Sequence, residues 1–335
     1  MLAASNLIAG LMIRDANAGI IVLALIPAVL FGGVGSIPTG YLHACGRSWV
    51  SALSEIIEQL FKVGFVISVF YIFGAADKYS GAAIAAAGIS AGGIISFIVI
   101  RLLTGKLPGK TDKSKISEMV RAAAPLTANR LIGSLLSMVT AIVIPLRLAA
   151  GGLSQSEALS IYGVLTGMAM PIVFLPSTIT SAVCVVLLPD IARTRAYNNI
   201  PLLRSKIKRA LFSIGGIALF SAVIISLLAR PAGDILYNQP LAGTLMLALA
   251  PYTVVNGLTH ISSTILNGLG YEGKTFKISI TGGIISLLLT YILTAPLGIY
   301  GYILAMLIQS AVCLALNLIC IRLSLQGKLA KKRPS

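Results

Sequence analysis

Thr127, Arg130, Ser134, Ser137 and Thr140 recur at steps of three and four along one apolar stretch, so a helix there carries all five on one face. An arginine near the middle of a bilayer costs about 2.5–3.5 kcal/mol on insertion scales, and its planar fork matches a phosphate. The stripe therefore predicts a binding cavity in which Arg130 captures an anionic, phosphate-bearing group while Thr127, Ser134 and Ser137 line the walls. Pairing of Arg130 with a helix carbonyl or a carboxylate is the plainer alternative. A second stripe runs through Asn256, His260, Ser263 and Asn267, and Ser36, Thr39 and His43 repeat its last three positions earlier in the chain. Asn256, His260 and Ser263 are assigned to the same cavity, with His260 either coupling protons or making an interhelical hydrogen bond.

Charged residues are rare in such segments, so their placement is informative. Ser54, Glu55, Glu58, Gln59 and Lys62 open one stretch, with Glu58 and Lys62 four apart in the favourable order. They form either a self-neutralised helix end or an inner gate made of Glu55, Glu58 and Lys62. Pro171 and Pro176 interrupt another stretch just before Ser177, Thr178, Thr180 and Ser181. A proline there frees backbone carbonyls and makes both positions candidate hinges. Cys45, Cys184, Cys313 and Cys320 lack the paired spacing of a metal site or disulfide framework, so no metal and no cofactor is expected. No phosphate-cradling glycine loop with its lysine is present either.

These residues sit in a chain of 335 residues that is 57% hydrophobic and 11% charged, which excludes an ordinary soluble enzyme. Apolar stretches of roughly 18 to 25 residues can each span a bilayer as a helix. Nine are expected, near 19–42, 51–73, 81–103, 121–146, 158–189, 209–230, 241–266, 276–295 and 299–322, preceded by a half-helix at 1–13. The net charge of +16 would suggest nucleic-acid binding on a soluble domain. Here the cations follow the loops instead. Alternate loops carry all of them except Arg14, Lys78, Arg147 and Arg230 on the other side, and Lys62 and Arg130 within spans. The positive-inside rule makes the basic side cytoplasmic, which places both termini of this chain on the cytoplasmic side of the membrane. The basic loops lack interleaved aromatics, so no nucleic-acid partner is expected.

An internal repeat supports the count of spans. Leu23-Ala24-Leu25-Ile26-Pro27 recurs as Leu247-Ala248-Leu249-Ala250-Pro251, and Gly33, Leu42 and Gly46 recur as Gly257, Leu266 and Gly270. Both copies run in the same direction across the membrane, so the repeat is parallel. The expected architecture is an all-α polytopic membrane protein with two pseudo-repeated six-helix lobes, the first lacking about two and a half helices. The remainder of the first lobe covers 1–103 and a basic cytoplasmic loop covers 104–118. The second lobe covers 119–323 and a basic tail covers 324–335.

Three runs carry a family resemblance. Residues 162–192, YGVLTGMAMPIVFLPSTITSAVCVVLLPDIA, together with 144–163 and 54–63 and the motif around Gly40-Tyr41, resemble the stage V sporulation protein B group of polysaccharide exporters. That group lies in the multidrug, oligosaccharidyl-lipid and polysaccharide exporter superfamily. The resemblance implies a non-enzymatic transporter of the lipid-flippase type that moves a lipid-linked anionic oligosaccharide by alternating access. Its partners would be the lipid-linked saccharide, membrane lipids and cell-wall synthesis proteins. The rivals are a cation-coupled multidrug exporter, a membrane glycosyltransferase or polymerase, and an inactive fragment. A drug exporter prefers carboxylates inside its cavity, whereas every acid here is expected in a loop or near a helix end. An enzyme would want clustered acids, and Asp112, Glu118, Asp190 and Glu272 stand singly.

Overall fold

The computed structural model describes residues 19–45, 47–73, 78–105, 113–197 and 199–326. The side chains of Arg130 and His43 lie outside the described residues. The chain divides into two compact units, Met1–Ser117 and Glu118–Ser335, and the described residues are almost wholly helical. Among the described residues eight helices are long and apolar enough to cross a membrane, which makes this a multi-pass membrane protein.

The first unit holds α1 (Gly19–Ala44), α2 (Ser48–Phe73) and α3 (Lys78–Thr104). Helix α3 packs along both α1 and α2, which touch each other only slightly. Small residues allow this. A Cβ on Gly92 would stand 3.0 Å from the Glu58 carbonyl oxygen, and one on Gly88 would stand 2.5 Å from Val66 Cγ2. The two glycines, four apart on α3, are the face on which α2 lies. The rings of Phe31 on α1 and Phe97 on α3 meet at 5.5 Å. Helix α2 is the expected ninth span. It forms in full over 26 residues and carries Glu55, Glu58 and Lys62 within it.

The second unit contains α4 (Lys113–Ala150), α5 (Gln155–Val164), α6 (Met170–Ala196), α7 (Ile200–Pro231), α8 (Pro240–Gly268), α9 (Glu272–Leu297) and α10 (Ile299–Leu325). Ser154 and Glu157 cap α5 reciprocally, the Glu157 amide donating to the Ser154 hydroxyl and the Ser154 amide to the Glu157 carboxylate. Helix α8 is the hub, packing against α6, α7 and α10, while α9 packs on α10. Two buried clusters hold this arrangement. One joins Ile144, Leu165, Val173, Met246 and Leu249, and the other joins Ile191, Leu203, Ile214, Ile261 and Ile265. Helix α4 meets α9 through Arg147, whose Nε donates to the Tyr291 carbonyl at 2.8 Å while its guanidinium lies 4.2 Å from the Tyr291 ring. Large apolar side chains such as Phe212, Val185 and Leu227 point outward, as expected where the surroundings are hydrocarbon and the interior has no monopoly on apolar residues.

One feature departs from the expected continuous span at 158–189. The helix is interrupted by a π-helical turn, Leu165–Ala169, and α6 begins immediately after it with Pro171 in its first turn. Proline lacks the amide that would continue the α pattern, so the wider turn falls where the ladder is already broken.

Candidate functional site

In the second unit the polar residues gather along the seam of α6 and α8. Pro176, Ser177 and Thr180 of α6, Thr253, Asn256 and Gly257 of α8, and Ile217 and Ala218 of α7 enclose a cavity of about 10 Å³, room for a single water. Ser177 and Thr253 donate their hydroxyl protons back to the Phe174 and Ala250 carbonyls at 2.6 and 2.7 Å. The Tyr252 hydroxyl donates to Asn256 Oδ1 at 3.2 Å. Gly257 lets α8 lie close against α7, where an added Cβ would stand 3.2 Å from the Ala218 Cβ. One turn further along, His260 Nδ1 lies 3.3 Å from Cys184 Sγ across the same seam.

The α8 stripe does not meet a single neighbour. Asn256 and His260 look toward α6, whereas Ser263 accepts a hydrogen bond from Asn317 Nδ2 of α10 at 2.8 Å, and Ser262 accepts one at 3.2 Å. Asn317 is fully buried, and its Oδ1 finds no partner among the described residues. At 100° per residue positions 256, 260, 263 and 267 lie within an arc of about 60°, and that arc straddles the boundary between α6 and α10. Thr127, Ser134 and Ser137 are exposed on α4 and do not line the α6–α8 cavity. Arg130 lies on the same helix with its side chain outside the described residues.

The first unit holds a larger cavity, about 330 Å³, between α1, α2 and α3. Its polar lining includes Ser36, Thr39, Ser51, Ser54, Glu55 and Glu58, so the expected gate acids border a cavity although they lie near a helix start. Lys62 pairs with Glu58 at 3.8 Å and donates to Gln59 Oε1 at 3.3 Å, and it is absent from the lining. Ser51 had no role in the reading of the sequence. Its signal was available: Ser51, Ser54, Glu55 and Glu58 fall at i, i+3, i+4 and i+7, one face of α2.

A family model described as polysaccharide biosynthesis protein matches residues 2–195. Stage V sporulation protein B of Bacillus subtilis (strain 168) is 26% identical over 299 residues, which cover 84% of this chain and 57% of that protein. Lipid II flippase MurJ of the same organism is 21% identical over 294 residues, covering 81% of this chain and 53% of the flippase. The chain thus spans little more than half the length of these two relatives. Among solved structures, lipid II flippase MurJ in an inward closed conformation superposes with a TM-score of 0.73 at 15% identity, over 96% of this chain and 68% of that one. An inward-facing multidrug resistance MATE family transporter of the MOP superfamily superposes with a TM-score of 0.70 at 14% identity, over 98% and 77%. At such low identity these likenesses show the fold.

Proposed function

The chain belongs to the polysaccharide biosynthesis protein family, and from that premise we propose that it serves a transporter flipping a lipid-linked anionic oligosaccharide across the bacterial plasma membrane by alternating access. The observation that carries this reading is the polar seam of α6 and α8, set within membrane-length apolar helices and interrupted by a π-helical turn and Pro176. Polar side chains buried among such helices face a partner helix or a wet path, and those of this seam border a cavity. Arg130 supplies the cation for the phosphate of the lipid-linked sugar, Thr127, Ser134 and Ser137 share its face, and Asn256, His260 and Ser263 contribute hydrogen bonds from α8. Pro171, in the first turn of α6, and Pro176, further along the same helix, act as hinges. Glu55, Glu58 and Lys62 serve as the inner gate. Membrane lipids and cell-wall synthesis proteins are its partners, and both termini of this chain face the cytoplasm. We also read 1–103 and 119–323 as two lobes of one transporter, joined by the basic loop.

The test is a sidedness assay. The full chain is reconstituted in vesicles carrying a radiolabelled lipid-linked saccharide in one leaflet, and transfer is followed by accessibility to an external enzyme. Transfer above empty vesicles, abolished by Arg130→Ala in protein that still inserts, supports the reading. Growth of the saccharide without transfer would make the protein a polymerase, and full transfer by Arg130→Ala would remove that residue from the site.

A further inference from the structure

We propose that the crevice between the start of α7 and the end of α10 binds an anionic phospholipid of the phosphatidylglycerol class, with Arg204 and Arg322 on its phosphate and Leu318, Ile321 and Leu325 along its acyl chain. The crevice follows from how the helices pack. Helices α7 and α10 both lie against α8, and at one end of the bundle a cavity of about 280 Å³ remains between them. Arg204 of α7 borders it on one side, and Leu318, Ile321, Arg322, Leu325 and Gln326 border it on the other. The latter stand at i, i+3, i+4, i+7 and i+8, a single face of α10 and its cap. That face changes character along its length, from the apolar Leu318 and Ile321 further inside the span to the charged and amide groups of Arg322 and Gln326 at the helix end. A phospholipid has the same order of chemistry, chain first and phosphate last.

Charge selects the occupant. Both arginines are exposed, and the ion pairs among the described residues use other cations, Lys62 with Glu58 and Lys206 with Asp190. Lys206 stands on the turn of α7 next to Arg204 and donates to Asp190 Oδ1 at 2.6 Å and to Thr194 Oγ1 at 3.0 Å. The acid at the adjoining end of α6 is therefore already matched. No carboxylate among the described residues lines the crevice, so two guanidinium groups border one gap with no anion of the chain between them, an arrangement that an incoming anion relieves. A phosphodiester accepts paired N–H bonds from the planar fork of each arginine. A free phosphate ion would use the arginines and leave the apolar wall uncovered, and a zwitterionic lipid would bring a cation of its own to them. Basic pockets between membrane helices are where anionic headgroups bind. In the orientation proposed above this end faces the cytoplasm and the lipid comes from the inner leaflet; only the choice of leaflet rests on that reading.

Lipid retention tests this without any transport step, so its outcome and that of the flipping assay are read separately. The purified full chain in detergent is mixed with phosphatidylglycerol or with phosphatidylcholine of the same acyl chains, and the lipid that stays bound is counted by native mass spectrometry. The expected result is several-fold tighter retention of phosphatidylglycerol, undiminished by an excess of inorganic phosphate. Arg204→Gln and Arg322→Gln, in protein of unchanged helix content, should each weaken that retention several-fold. Arg230→Gln removes the same charge at the other end of α7 and should leave it as it was. Equal retention of the two lipids by the wild-type chain would overturn the proposal. So would phosphatidylglycerol that survives both arginine substitutions together, is lost as readily from Arg230→Gln, or is displaced by inorganic phosphate.

Discussion

The hydroxyl of Ser90 sits within the hydrogen-bond ladder of a neighbouring helix, accepting the amide of Ala28 at 3.2 Å. The same hydroxyl donates to the carbonyl of Ala24, the residue that Ala28 would ordinarily reach in an unbroken helix. Pro27 lies between them and lacks an amide of its own. A side chain on α3 thus completes the backbone of α1 at the point where proline has disturbed it, in the manner known for proline-containing membrane helices.

Replacing Ser90 by alanine should therefore leave one amide and one carbonyl of α1 without partners in a water-poor setting. The expected loss is about 1–3 kcal/mol. Denaturant unfolding in mixed detergent would measure it, and an unaltered midpoint would show that α1 restores its own bond.

Gly92→Val should be more damaging than a comparable change at the open position Gly64. The new side chain meets the Glu58 carbonyl oxygen and Cγ at 3.0 and 3.3 Å, and such overpacking costs about 1–3 kcal/mol. Gly64 has nothing within 4 Å, so valine there should be nearly silent in the same assay.

Asn317 and Ser263 should be coupled. Their hydrogen bond is 2.8 Å long between α10 and α8, and interhelical bonds in membranes average about 0.6 kcal/mol with an upper end near 1.7. A double-mutant cycle with Asn317→Ala and Ser263→Ala should return a coupling in that range. Strict additivity would mean that the bond contributes nothing net.

Cys45 is exposed at the end of α1, whereas Cys184 and Cys313 are buried. A membrane-impermeant maleimide should modify Cys45 rapidly in inverted vesicles and not in intact cells, because the proposed orientation puts this turn in the cytoplasm. Cys184 and Cys313 should stay unmodified until the protein is denatured. Rapid labelling of Cys45 from outside would reverse the orientation.

Much of the architecture was legible in the sequence because a bilayer demands long apolar helices whatever their neighbours. The spans, the charged opening of α2 and the prolines of α6 could be read from residue type and spacing alone. The π-helical turn at Leu165–Ala169 could not. It is a local compromise between the helix entering from α5 and the proline that follows, and nothing in LTGMA distinguishes it from an ordinary α turn.

The candidate sites divide along the same line. Residue types and spacing were enough to show that polar residues recur at helical steps in α4 and α8, and that Glu55 and Glu58 share a face of α2. That Asn256 and His260 meet α6 while Ser263 meets Asn317, and that Ser51 joins the acids at a cavity, came from how the helices pack. The reason lies in the solvent. In water an apolar face announces which side of a helix is inward, but in a membrane both sides are apolar, so small residues and hydrogen bonds set each helix's rotation. Those contacts belong to pairs of helices, and no single segment contains them.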